Sequence, residues 1–289
     1  MESTDFVDAL GASPGDLIDR TAERSTRSRS RPERRAPARL RVLWAILPPM
    51  AIGLSMLVLW SVLVRAGVVA KYLLPAPTEV LRVFWQSLTN GLLWEYARPT
   101  LIESVEGFVA GSLIGLATGY AISRSRLLAR MLEPYLAASQ ALPAIALAPL
   151  LVLWLGYGKT PIVALCALIV FFPVHVNTAL GIRTLDQEIL DAARVDGAGG
   201  WSLLRHFELP LALPSILAGM RNGLTLSITG AVVGEFVIGD RGLGGLLTIA
   251  RGNFNTPLVF ATLLTLAIMA SVFYGIGRII ERRLSYLEG

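Results

Sequence analysis

Few residues of this 289-residue chain have the type and spacing to do chemistry. Gly156-Tyr157-Gly158-Lys159-Thr160 contains the Gly-Lys-Thr that closes a phosphate-cradling loop, where backbone amides and a lysine hold a nucleotide. Such a loop also needs a glycine five residues before Gly158, and Leu153 stands there, so this chain is not expected to hydrolyse ATP by itself. His175 has no second His, Cys or carboxylate at ligand spacing, so no metal centre is expected and packing is its ordinary role. The single cysteine, Cys166, excludes an internal disulfide. No nucleophile is paired with a base, which makes an enzyme the least favoured class, and no cofactor is expected. The remaining candidates are Arg221, Asn222 and Glu235, set in an apolar segment where an ionisable group must face a partner, water or a pathway.

The elements that carry these residues belong to a membrane. The chain is 54% hydrophobic and 16% charged, with a mean hydropathy of +0.59. Apolar runs of about 20 residues match a bilayer rather than a soluble core. They fall near 42–64, 100–122, 135–155, 161–180, 215–238 and 257–280, predicting an all-α polytopic protein of about six transmembrane helices. The net charge of +5 does not indicate nucleic acid, because the basic residues flank apolar runs without a base-stacking pattern. Arg34, Arg35, Arg39 and Arg41 before the first run, Arg124 and Arg130 after the second, and Arg278, Arg282 and Arg283 at the end place both termini in the cytoplasm. The first cluster could also hold anionic membrane lipid. Residues 1–38, rich in Ser, Arg, Asp, Glu and Pro, read as a disordered cytoplasmic tail, and 39–289 as the transmembrane domain.

Within that domain, Gly107, Gly111, Gly115 and Gly119 form one small-residue helix face, suited to close approach by a second helix. Pro143, Pro149 and Pro173 mark bends beside a pathway. Thr78 is a plausible cap for an amphipathic helix carrying Val80, Leu81, Phe84 and Trp85 along the outer interface. His175, Asn222 and Glu235 are the candidate pathway residues. For Glu235, solvation in the outer vestibule is an equal reading, and for Arg221, snorkelling to headgroups.

The long polar interruption, 183–214, is too ordered for a linker. Leu185, Ile189, Ala192, Ala193 and Val195 recur at helical spacing opposite Asp186, Gln187, Glu188, Asp191 and Arg194. Gly197, Gly199 and Gly200 end that helix, and an apolar patch of Trp201, Leu203, Leu204 and Phe207 follows. Pro210 and Pro214 then bring the chain back to the membrane. Two short helices at a glycine corner are expected, shaped to enter a groove on a partner.

Asp191-Ala192-Ala193, three residues, Gly197, nine residues, Phe207, one residue and Leu209-Pro210 together resemble the EAA loop of membrane subunits of binding-protein-dependent ABC importers. That family has Glu more often than Asp at the first position and Ile more often than Phe at 207. Leu74-Pro75-Ala76-Pro77 is similar to a stretch after the first span of nitrate, sulfonate and taurine permeases, and Gly242-Leu243-Gly244 resembles the family's glycine-rich segment before the last span. The resemblance implies a type I importer permease fold with a cytoplasmic coupling helix. It also implies a permease homodimer, a separate ABC ATPase subunit, and a substrate-binding protein or lipoprotein outside. ATPase coupling would fall to Glu188, Asp191, Ala192, Ala193, Gly197, Leu209 and Pro210. The implied cargo is a small solute such as sulfonate, taurine or nitrate, with a thiamine pyrimidine precursor or riboflavin as alternatives. A gradient-driven secondary transporter and a membrane anchor that recruits a partner are the competing classes.

Overall fold

The computed structural model describes residues 38–70, 72–238 and 241–285, and every element among them is helical. The tail expected over 1–38 lies outside the described residues except at Ala38, where α1 (Ala38–Arg65) begins. Contacts divide the chain between Leu59 and Trp60. The described part of the first unit is the opening stretch of α1, which runs unbroken through Pro48 and Pro49.

The second unit continues with α2 (Pro77–Thr89), whose cap is Ala76 rather than Thr78. Pro77 takes the first helical position, where a missing N–H costs nothing and the fixed φ favours the turn. Of the four apolar residues expected to lie together along an interface, Val80 is buried and Phe84 partly so, while Leu81 and Trp85 stay exposed. After α3 (Leu92–Arg124), the third expected span proves to be two helices, α4 (Arg126–Gln140) and α5 (Ala144–Leu155), bent by 103°. Pro143 caps α5 with extended backbone at the break, where its missing N–H leaves no hydrogen bond back to the preceding helix. Pro149 and Pro173, by contrast, lie inside continuous helices. The remaining elements are α6 (Lys159–Arg183), α7 (Gln187–Val195), α8 (Gly200–Leu203), a π-helical turn (Leu204–Glu208), α9 (Leu209–Ile238), α10 (Gly242–Gly252) and α11 (Thr256–Ser285). Among the described residues, five helical stretches are long and apolar enough to cross a bilayer, and six if the bent pair counts as one.

Helix α6 is the centre of this unit because glycine faces of two neighbours close on it. A Cβ added at Gly107 would overlap Cys166, and one at Gly111 would overlap the Ala167 carbonyl. At Gly115 it would lie 3.0 Å from the Phe171 carbonyl oxygen, and at Gly119 2.7 Å from that of His175. The register advances in step, so α3 and α6 run parallel. On the other side Gly219, Gly223, Gly230 and Gly234 of α9 meet Asn177, Val170, Cys166 and Ile162 in descending order, so α9 is antiparallel to α6. Lipid offers no hydrophobic drive between helices, so backbone approach and dispersion set the association. Cys166 sits at the crossing of both faces and its thiol donates to the Ser227 carbonyl at 2.9 Å, a packing role.

Replacing Gly111 by Leu is expected to force α3 from α6, costing about 1–3 kcal/mol by overpacking. The thermal midpoint of detergent-solubilised protein should fall, whereas Gly275→Leu, whose added Cβ would meet nothing within 4 Å beyond its own stretch of helix backbone, should leave it near the parent value.

Candidate functional site

The polar loop folds on its own small core. Asp186 opens α7, its carboxylate accepting from the Glu188 N–H at 2.9 Å, which satisfies one of the helix's free donors. Leu190, Ala193 and Leu203 are buried together, with Leu185, Ala198 and Phe207 around them. At the far end the Ala198 N–H donates to the Ala193 carbonyl at 2.9 Å and the Gly197 N–H to that of Arg194 at 3.0 Å. This paired closure needs a left-handed residue, and Gly197 supplies it at φ +88°.

The second helix of the loop is not a separate short element. From Gly200 the chain stays helical to Ile238, through the π-helical turn and into α9. That turn widens the hydrogen-bond ladder just before Pro210, which has no N–H to give, so the helix passes through Leu209-Pro210 instead of folding back. Ala193 points into the loop's core, Pro210 is half-buried and Leu209 is partly exposed; Glu188, Asp191, Ala192 and Gly197 stand in the open. Ile189 and Val195, which the periodicity groups with Ala193, are also exposed, as is Trp201, leaving an apolar surface around the corner.

Glu208, for which the sequence carried no signal, ties this loop to the bundle. It is 1% exposed, 3.1 Å from the Arg124 guanidinium, and accepts from the Tyr120 hydroxyl at 3.3 Å. The turn preceding α9 is thereby fastened to the end of α3. At the same end Arg183 meets Glu133 at 2.6 Å, and Arg221 meets Glu281 at 2.6 Å beneath the Tyr274 ring. Arg221 therefore pairs with α11 instead of snorkelling.

Two cavities follow one another along the free face of α6. The larger, about 640 Å³, has Ile114, Leu142, Leu151, Trp154, Phe171 and Phe172 in a wall without a charged group. The next, about 330 Å³, is polar, with His175, Gln140, Glu133 and Arg183. His175 joins the two, its ring stacked on Phe171 and its Nδ1 3.1 Å from the Thr118 hydroxyl. Asn222 is exposed on α9. Glu235 is not in contact with solvent as one reading had it: it is fully buried and accepts from the Gly244 N–H at 2.8 Å. Lys159 of the Gly-Lys-Thr segment meets Glu106 at 2.7 Å.

Residues 107–286 match the family described as binding-protein-dependent transport system inner membrane component. The chain belongs to this family. It is 43% identical to the riboflavin transport system permease protein RibX of Chloroflexus aurantiacus, over 83% of this chain and 90% of that one. It is 31% identical to the putative aliphatic sulfonates transport permease protein SsuC of Bacillus subtilis, over 87% and 90%. The formylaminopyrimidine transport permease protein ThiX of Halalkalibacterium halodurans is 32% identical, over 77% and 88%. Among solved structures, an inward-facing MetNI methionine ABC transporter superposes with a TM-score of 0.60 at 19% identity, covering 68% of this chain and 97% of that one, a likeness of fold. The protein is thus an ABC importer permease, a multi-pass inner-membrane transport subunit and not an enzyme, which sets aside the gradient-driven carrier.

In this permease Glu208→Ala should strand the Tyr120 hydroxyl and the Arg124 guanidinium, costing on the order of 1–3 kcal/mol, because Arg124 remains half-exposed to water. Hydrogen exchange of the turn before α9 should accelerate at least several-fold, with Glu208→Gln intermediate because its amide oxygen can still accept from Tyr120.

Proposed function

We propose that this permease is driven by a separate ABC ATPase that grips the corner formed by α7 and α8, in a complex of two permease copies, with a binding protein or lipoprotein delivering cargo outside. The observation that supports it most is the apolar surface of Ile189, Ala192, Val195 and Trp201, displayed on a corner that continues without a break into the membrane helix. A helix entering a groove needs such a face. Closure of the ATPase pair would then move α9 as a lever, and the Glu208 contacts would carry the displacement to α3. Arg124, Arg183, Arg194 and Arg205 gather at this end, and basic residues are retained on the cytoplasmic side, which favours both termini inside.

The cargo we propose is an aromatic heterocycle of the riboflavin kind rather than a sulfonate, taurine or nitrate. The larger cavity favours it: Trp154, Phe171 and Phe172 offer ring faces, while an anion there would leave its charge without a partner. The 43% identical relative is named for riboflavin transport, which agrees in kind. The cargo path would follow the α6 face past His175, with Asn222 and Glu235 outside it.

Gly197→Trp should abolish uptake and the stimulation of ATP hydrolysis by loaded binding protein, yet leave membrane insertion intact, because strain and bulk fall only on the docking corner. Normal uptake by that variant overturns the coupling assignment. In proteoliposomes holding permease, ATPase and binding protein, labelled riboflavin should accumulate with ATP and taurine should not; the reverse result overturns the cargo assignment.

A further inference from the structure

The polar cavity beside His175 is walled on one side by a helix turned inside out. Glu133, Ala137 and Gln140 of α4 face His175, Ala179 and Arg183 of α6 across it. Arg126, Arg130, Glu133, Ala137 and Gln140 recur every three or four residues and so form one stripe of α4, whose cavity-lining members show that it turns toward α6. Leu128, Met131 and Tyr135 form the opposite stripe and are exposed. A surface helix of a soluble protein does the reverse and buries its apolar stripe. With hydrocarbon outside, a polar stripe turned in and an apolar stripe turned out suit a water-filled interior.

One ion pair spans that interior at the coupling-loop end. The Arg183 guanidinium donates to the Glu133 carboxylate at 2.6 Å and to the Ile122 carbonyl at 3.4 Å. That carbonyl belongs to the last turn of α3, where no intrahelical N–H is left to meet it and a cation is favoured. Arg183 thus joins the end of α6 to α4 and to the end of α3. It also stands next to the loop. Ile182 before it is buried with Ala212 and Ile216 of α9, and Leu185 after it packs both on that cluster and on the Leu190, Ala193 and Leu203 core. A displacement of α7 therefore reaches, through Leu185, the turn that carries Arg183. Both members of the pair are nearly half-exposed, and so wet a pair is weak enough to yield to such a displacement.

We propose that Glu133 and Arg183 are the inner latch of the cargo path: joined, they close its mouth between His175 and the coupling loop, and displacement of α7 parts them and opens the mouth to water. The latch rests on the reading of the α6 face as the cargo path and of the loop as the coupling site, and is the point where the second acts on the first. Glu133→Gln keeps the shape of the side chain and removes its charge, which frees Arg183. Exchanging the two charges keeps the attraction and reverses its sense.

The test follows a cysteine placed at Ala179, which is 8% exposed on the cavity wall, four residues before Arg183. The whole transporter is held in lipid nanodiscs, where both faces meet a short PEG-maleimide, uncharged so that a change of charge at Glu133 does not itself alter its approach. The parent, whose Cys166 is buried, gives the background. Labelling of Ala179→Cys should be slow, should quicken at least several-fold when Glu133→Gln is added, and should return toward the slow rate in Glu133→Arg with Arg183→Glu. Equal rates in all three, or an exchanged pair as fast as Glu133→Gln, overturns the latch; a loss of packing alone would not be reversed by the exchange. ATP should quicken labelling of Ala179→Cys and leave the rate with Glu133→Gln unchanged. Indifference to ATP, in a transporter that hydrolyses it, overturns control of the latch by the loop. Labelling needs no cargo, so an error in the cargo assignment leaves its outcome unchanged, and failure of the ATPase to dock is seen separately as absent ATP hydrolysis.

Discussion

Contact of backbone with backbone around α6 is the constraint on which the other features depend. With hydrocarbon outside, burying one more apolar side chain between two helices gains little over leaving it in lipid, so the helices are held by how closely they approach. Glycines at 107, 111, 115 and 119 of α3, and at 219, 223, 230 and 234 of α9, remove the side chains that would keep α6 at a distance. Two faces of α6 are thereby used up. Its third face, with Phe171, Phe172 and His175, is left for α4 and α5, whose 103° bend opens the two cavities.

Helix α9 is gripped near both ends by buried carboxylates. Glu208 precedes its first residue and binds the end of α3, and Glu235 lies in its last turn and binds the amino end of α10. Both acids are fully buried, and a buried carboxylate persists only where partners replace its water. Each therefore marks a place where the bundle has been built to hold a short or irregular element: the π-helical turn at one end, the short α10 at the other. The helix between them is continuous, so a displacement of one end is a displacement of both.

Much of this was legible in the residues. Apolar run length announced the membrane, since backbone groups in lipid must be satisfied within helices. The spacing of Asp191, Ala192, Ala193, Gly197, Leu209 and Pro210 carried the family, and the four-residue period of the α3 glycines carried the α3 packing. Gly197 could be read as a helix stop because few other residues take positive φ. The break at Pro143 was legible for a similar local reason.

Other features were decided only by the fold. Pro210 read as a return of the chain, yet the π-helical turn beside it lets one helix continue, a turn held by Glu208 on Arg124 and Tyr120, 84 and 88 residues away in sequence. Thr78 yielded the cap to Ala76 because Pro77 could take the first helical position. Glu235 had the look of a solvated or pathway acid, and only the packing of α10 against α3 and α9 brought the Gly244 amide to it. Run length, period and φ preference are local properties and can be read along the chain. Which buried acid meets which distant donor depends on several helices at once, and that is set by tertiary packing alone.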